Sequence, residues 1–221
     1  MSDSSIKPIR LAVLISGGGT TLRNLVRSIK DDALPATIEL VISSNPKSAG
    51  LTYAAQDKIS TLTCRRQGRT DDEYCADIFQ PCRERNIDLV MMAGFLKHVL
   101  IPDDFVGRVM NIHPSLIPSF CGQGYYGHHV HKAVIDYGAK VTGCTVHFVD
   151  NQYDHGPIIL QRVVPVEDRD TVEELAARVF QQECVAYPEA VRLFAQGCLQ
   201  LDGRHVLIRS ADQAGVSQVR D

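Results

Sequence analysis

The sequence predicts an α/β fold: a doubly wound, mostly parallel twisted sheet flanked by helices, with a more mixed C-terminal part. Three observations carry that expectation. Strand-like and helix-like segments alternate from the start of the chain. The strand-like segments, such as IRLAVLIS (9–16) and DLVMMAG (88–94), are nearly continuous aliphatic runs, as strands covered on both faces require. The helix-like segments hold their apolar residues on one stripe, as Leu22, Leu25, Val26 and Ile29 do in TTLRNLVRSIK. A βαβα order of this kind makes a parallel sheet, and such sheets bind ligands beyond the carboxyl ends of their strands.

The elements follow in order. TIELVISS (37–44) reads as a second strand that ends at Asn45-Pro46, SAGLTYAAQDK as a helix and STLTC as a short third strand. TDDEYCADIFQPCRERN begins with acids and ends with bases, as a helix dipole favours, and Pro81 is expected to kink it. DLVMMAG is the fourth strand and RVMNIH (108–113) the fifth. A loop rich in glycine, proline and aromatics (114–127) leads to a helix at HHVHKAVIDYG. VTGCTVHFV (141–149) and PIILQRVVPV (157–166) are strands bracketing DNQYDHG. A long helix follows, with Asp170 and Glu173 at capping-box spacing. CLQLDGRHVLIR predicts a terminal hairpin turning at Asp202-Gly203. No repeat, low-complexity tract or linker interrupts the chain, so a single domain over 1–221 is expected. Its core is placed at about 9–208, and the polar tail at about 210–221 is expected to be loose.

Composition narrows the classes. The 221 residues are 44% hydrophobic and 22% charged, with a formal net charge of −3, which suits a globular protein and gives no sign of a nucleic-acid or membrane surface. No apolar run reaches the length of a membrane span, and the first apolar block is too short for a signal-peptide core. The seven cysteines form no C-x-x-C pair and are expected to be reduced thiols in a cytoplasmic setting. Separately, small-molecule partners and a monomer or homodimer are expected.

Three stretches carry chemistry. In RVMNIHPSLIPSF, residues i and i+2 of a strand face one side, so Asn111 and His113 project together where Pro114 ends the strand. In LISGGGTTL (14–22), a glycine turn meets a helix N-terminus. There backbone N–H groups of Gly18 and Gly19 and the hydroxyls of Thr20 and Thr21 suit a phosphate, and a Cβ at Gly19 is expected to crowd it. The loop lacks the lysine and spacing of a P-loop, and it lacks the third glycine and the acid of a dinucleotide site. A tight turn without a ligand remains the plainer reading. In VDNQYDHGPI, Asp150 and Asp154 lie in a loop between strands, and a carboxylate near His113 would favour its charged form. No nucleophile-elbow pattern exists; a substrate that brings its own amine nucleophile would need only acid–base and oxyanion help. From pattern alone, core packing of these polar groups stays open. His128, His129 and His131, with His113, His147 and Cys121 as further candidates, raise zinc, but no spacing matches a known ligand motif, and no metal is expected.

Taken together, MNIHPSLIPSF, VTGCTVHFVDNQYDHGPIILQ and LAVLISGGGTTL resemble the phosphoribosylglycinamide formyltransferases, folate-dependent enzymes of purine synthesis, over about residues 9–208. The resemblance implies a Rossmann-like formyltransferase fold and transfer of a formyl group from 10-formyltetrahydrofolate, a co-substrate, to the amine of glycinamide ribonucleotide. It implies catalytic roles for Asn111, His113 and Asp154. Gly18, Gly19, Thr20 and Thr21 would bind the substrate phosphate, and Pro114 and Glu183 the ribonucleotide. Phe95, Leu96, Lys97 and Val99 would line the folate pocket, closed on its other side by Val149, Asp150 and Tyr153. Thr20-Thr21 replaces the Ser-Asn common in relatives, and CGQGYYGHHVHKAV is longer and more aromatic than their loop. The competing readings are a formyltetrahydrofolate hydrolase, a formyltransferase for another amine, a non-catalytic binding protein on the same scaffold and a metal-dependent hydrolase.

Overall fold

A computed structural model describes residues 7–210. Among them lie nine strands and five helices: β1 (Ile9–Ile15), α1 (Thr20–Asp31), β2 (Ala36–Ser43), α2 (Ala49–Gln56), β3 (Ser60–Thr63), α3 (Asp71–Glu84), β4 (Leu89–Met92), β5 (Val109–His113), α4 (His128–Tyr137), β6 (Val141–Phe148), β7 (Ile158–Pro165), α5 (Val172–Ala195), β8 (Leu199–Asp202) and β9 (His205–Ile208). The tail expected to be loose falls, but for its first residue, outside the described residues.

All nine strands join one sheet in the order β3-β2-β1-β4-β5-β6-β7-β9-β8. The first five in that order pair in parallel, as the βαβα pattern requires. β6 is antiparallel to both β5 and β7, β9 returns to run parallel with β7, and β8 pairs antiparallel with β9. The C-terminal part is therefore mixed. The strand order reverses at β1: β2 and β3 lie on one side of it, β4 and β5 on the other. The crevice at this switch point lies between the segments that follow β1 and β4.

The apolar runs behave as their pattern requires. On β1, Leu11, Val13 and Ile15 face one layer, with α1 and α5, while Ala12 and Leu14 face the other, with α3. All five are fully buried. Leu22 and Leu25 anchor α1 in the first layer, with Val26 and Ile29 packed at its margin. From α5, the buried Tyr187 hydroxyl lies 2.9 Å from the carbonyls of both Met92 and Met110, tying the helix to β4 and β5.

Three local expectations change. The long helix is capped one residue later than expected: the Thr171 hydroxyl accepts from Glu174 N–H at 3.2 Å and Glu174 accepts from Thr171 N–H at 2.9 Å. Asp170 instead holds Arg178 through two contacts of 2.6 and 2.7 Å. Both spacings fit a capping box, and the Arg178 pair decides between them. The hairpin turns at Gly203-Arg204, because Asp202 pairs with His205; Gly203 takes the positive φ of 57° that the first turn position needs. β4 stops at Met92, two residues early, because Gly94 turns left-handed with φ 74°. α3 runs through Pro81 to Glu84.

Candidate active site

β5 projects Asn111 and His113 to one side, as strand periodicity predicts, into a cavity of about 230 Å³. Asp154 comes from the β6–β7 loop. Its Oδ2 lies 3.4 Å from His113 Nδ1 and accepts from Gly122 N–H at 2.9 Å; its Oδ1 lies 3.4 Å from Asn111 Nδ2. The three residues therefore meet around one carboxylate. Asp154 holds a φ of 49°, an unusual conformation for a residue with a Cβ, which the surroundings must maintain. The glycine two residues on is explained by crowding: a Cβ at Gly156 would overlap the Phe148 carbonyl. That close approach lets Pro157 O accept from Phe148 N–H at 2.9 Å and brings the loop back into β7.

His113 is buried, and its Nε2 donates to Phe120 O at 2.9 Å. With Nδ1 facing Asp154, both ring nitrogens stand against oxygens, which fixes the plane of the ring. His147, paired across the sheet with Asn111, completes the cluster. Its Nδ1 donates to Phe148 O at 2.8 Å, which leaves Nε2 to accept from Asn111 Nδ2 at 3.3 Å. Burial lowers the pKa of His147, offset in part by the Phe148 carbonyl and Asp154, so it acts as an uncharged acceptor that orients the amide. The sequence offers His147 only as a zinc candidate and not as the acceptor beside Asn111, and it gives no sign of Phe120 O or Gly122 N–H. A histidine inside the apolar run of β6 was the available signal for the first; backbone groups of a loop leave none in the sequence.

The same cavity is lined by Phe95, Leu96, Lys97, Val99, Val149, Asp150 and Tyr153, and by Pro114. Segments 95–101 and 149–155 lock together: Asn151 Oδ1 accepts from Ile101 N–H at 2.7 Å, and the His98 and Tyr153 rings stand 4.9 Å apart. The aromatic loop adds Gln123 and the exposed Tyr125 and Tyr126 to the lining.

Gly18, Gly19, Thr20, Thr21 and Glu183 do not line this cavity. The glycine turn adjoins it across the switch point: Ser16 N–H donates to Gly94 O at 3.1 Å, and Leu96 N–H donates to Ser16 Oγ at 2.9 Å. Gly19 caps α1 with φ 74°, and the helix begins at Thr20. A Cβ at Gly19 would stand 2.6 Å from Gly50 Cα, so the contact with α2 by itself requires a glycine. Glu183 on α5 is partly exposed as a residue, yet its carboxyl sits deep enough that burial pushes its pKa up to about 7.

The histidines of α4 diverge. His128 is exposed, His129 packs edge-on against Tyr126 at 5.0 Å, and His131 is buried with its pKa lowered by burial to about 4. Among the described residues, no group of three or more His, Cys, Asp or Glu is placed to hold a metal ion. No described helix is long and apolar enough to cross a membrane.

Comparison with known proteins agrees with this fold. Residues 9–191 match the family model described as formyl transferase. A chloroplastic phosphoribosylglycinamide formyltransferase of Vigna unguiculata is 39% identical over 197 residues, covering 87% of this chain and 62% of that protein, so the chain spans less than two thirds of that relative. The phosphoribosylglycinamide formyltransferase of Haemophilus influenzae is 35% identical over 199 residues, 87% of this chain and 90% of its own. The crystal structure of glycinamide ribonucleotide transformylase 1 from Symbiobacterium toebii superposes with a TM-score of 0.83 at 36% identity, covering 92% of this chain and 95% of that one. The doubly wound sheet, the cavity beyond the ends of β4 and β5 and a family match over most of the sequence lead to one conclusion: the chain belongs to the formyl transferase family.

Proposed function

We propose that this protein is a phosphoribosylglycinamide formyltransferase, moving a formyl group from 10-formyltetrahydrofolate to the primary amine of glycinamide ribonucleotide in de novo purine synthesis. The observation that carries the reading is the meeting of Asn111, His113 and Asp154 in one cavity. That set suits an acyl transfer in which the substrate supplies the nucleophile.

In this reading the amine nitrogen attacks the formyl carbon, and the carbonyl oxygen takes on negative charge. The Asn111 amide faces that charge, and His113 meets it through Nδ1, whose 3.4 Å contact with Asp154 is long enough to be shared, while Nε2 stays on Phe120 O. The amide contacts of Asn111 are long, at 3.3 and 3.4 Å, so a developing oxyanion replaces one of them at little cost. Asp154 holds His113 in place. The bond from the formyl carbon to the folate nitrogen then breaks; the amine gives up a proton, and the leaving nitrogen gains one, by way of the Asp154 carboxylate and water. The segments 95–99 and 149–153 hold the folate, with the Tyr125 and Tyr126 rings at the entrance. The acceptor's phosphate lies on the backbone of Gly18–Thr21 at the positive end of α1, and its ribose toward Glu183.

The test is formyl transfer by purified protein supplied with both substrates, with a control that omits the ribonucleotide. Formylated ribonucleotide formed only in the complete mixture is expected. Release of formate at an equal rate without the amine would replace this reading with a hydrolase.

A further inference from the structure

The loop that carries Tyr153 and Asp154 is clipped to itself and to the far end of the chain. Asp150 uses both carboxylate oxygens within the loop: Oδ1 accepts from Gln152 N–H at 2.9 Å and Oδ2 from His155 Nδ1 at 2.7 Å. The clip thus encloses Tyr153 and Asp154 between its two ends. From the β8–β9 turn, Arg204 reaches across to the outer side of the clip. Its Nη2 donates to His155 O at 2.9 Å, and its Nη1 lies 2.7 Å from His155 Nε2 and 3.2 Å from Nδ1. The pairing of His205 with Ile158 sets the turn beside the start of β7 and so fixes where Arg204 begins.

We propose that Arg204 is a positioning residue for the formyl-donor side of the pocket, acting through His155 and Asp150 on the loop that presents Tyr153 and Asp154. Neither Arg204 nor His155 lines the cavity, so the effect is indirect. The loop needs such a hold. Asp154 has the strained φ of 49° and is followed directly by His155, whose carbonyl Arg204 grips. On the inner side, Asn151 is fastened to Ile101 and Asp154 to Gly122. The Arg204 contact supplies the outer side. A guanidinium suits this position because its planar fork donates to the carbonyl and the imidazole together, which a lysine ammonium does less well. The contacts are exposed, so the effect is modest.

The activity readout rests on the proposed formyl transfer, and the experiment separates the two. Arg204→Ala is expected to raise the KM for 10-formyltetrahydrofolate by about three- to tenfold, with the ribonucleotide KM unchanged. His155→Ala is expected to do the same, and the double variant to be no worse than either, because both break one chain of contacts. Arg204→Lys should recover part of the loss. Amide hydrogen exchange over residues 150–156 should quicken in Arg204→Ala, whether or not the protein transfers formyl groups. An unchanged donor KM in an active protein would overturn the proposal, as would multiplying effects of the two substitutions. If the wild-type protein is inactive, formyl transfer is wrong and exchange alone decides: quicker exchange in Arg204→Ala upholds the hold on the loop, and unchanged exchange refutes it.

Discussion

Glu183 puts a carboxyl where burial favours its neutral form, with a pKa raised from 4.5 to about 7. The sign of its effect on stability follows. Between those values the folded state holds a proton that the unfolded state has released, so this group's contribution is fully present below pH 4.5 and is lost as pH rises through about 7. Glu183→Gln cannot ionise, so it is expected to flatten that decline, with a gain on the order of 2–3 kcal/mol at pH 8 as an upper bound. Urea unfolding of both proteins at pH 5 and pH 8 checks it; the same difference at both values would refute it. His131 works in the opposite direction, since its pKa falls from 6.5 to about 4 and its neutral burial gains as pH rises through that window. The comparison must therefore be between variants and not along one curve. Gly19 yields a different kind of prediction. Gly19→Val meets both the positive φ and Gly50 Cα, so a stability loss of about 2–5 kcal/mol is expected, seen as a lower urea midpoint.

At the scale of elements, α5 braces the strands that carry the site. Tyr187→Phe removes a hydroxyl placed against the carbonyls of Met92 and Met110, which lie on β4 and β5. A loss of about 1–2 kcal/mol is expected, read as a fall in Tm of about 2–6 °C; no change would mean that water or neighbours satisfy those carbonyls equally well. Elements were also where the sequence was most readable. The buried strands were legible because apolar runs bounded by turns have few other uses, and Asn111 with His113 because strand periodicity alone sets them on one face. Asp154 was legible only as a carboxylate in the right loop, since its aim depends on a left-handed backbone and on the close approach at Gly156. Phe120 O and Gly122 N–H act through the backbone, whose direction no side chain announces. The cap at Thr171 was missed because two overlapping spacings fit, and a tertiary contact to Arg178 chose between them.

For the whole molecule, function follows from where the strand order reverses. Placing β1 beside β4 sets the glycine turn next to the segment after Met92, which lines the cavity that Asn111 and His113 enter from β5. The antiparallel return through β6 and β7 then brings in Asp154 from a loop 43 residues beyond Asn111. Neither the glycine turn nor the Asn-x-His pair means much alone, and the sheet makes them neighbours. The central claim is that this assembled trio, rather than the pocket alone, performs formyl transfer. The most direct measurement is kcat for Asp154→Asn with both substrates saturating, alongside the Kd for the folate. The account predicts a fall in kcat of at least about 100-fold with the folate Kd changed only a few-fold. A kcat near that of the wild-type protein would contradict it.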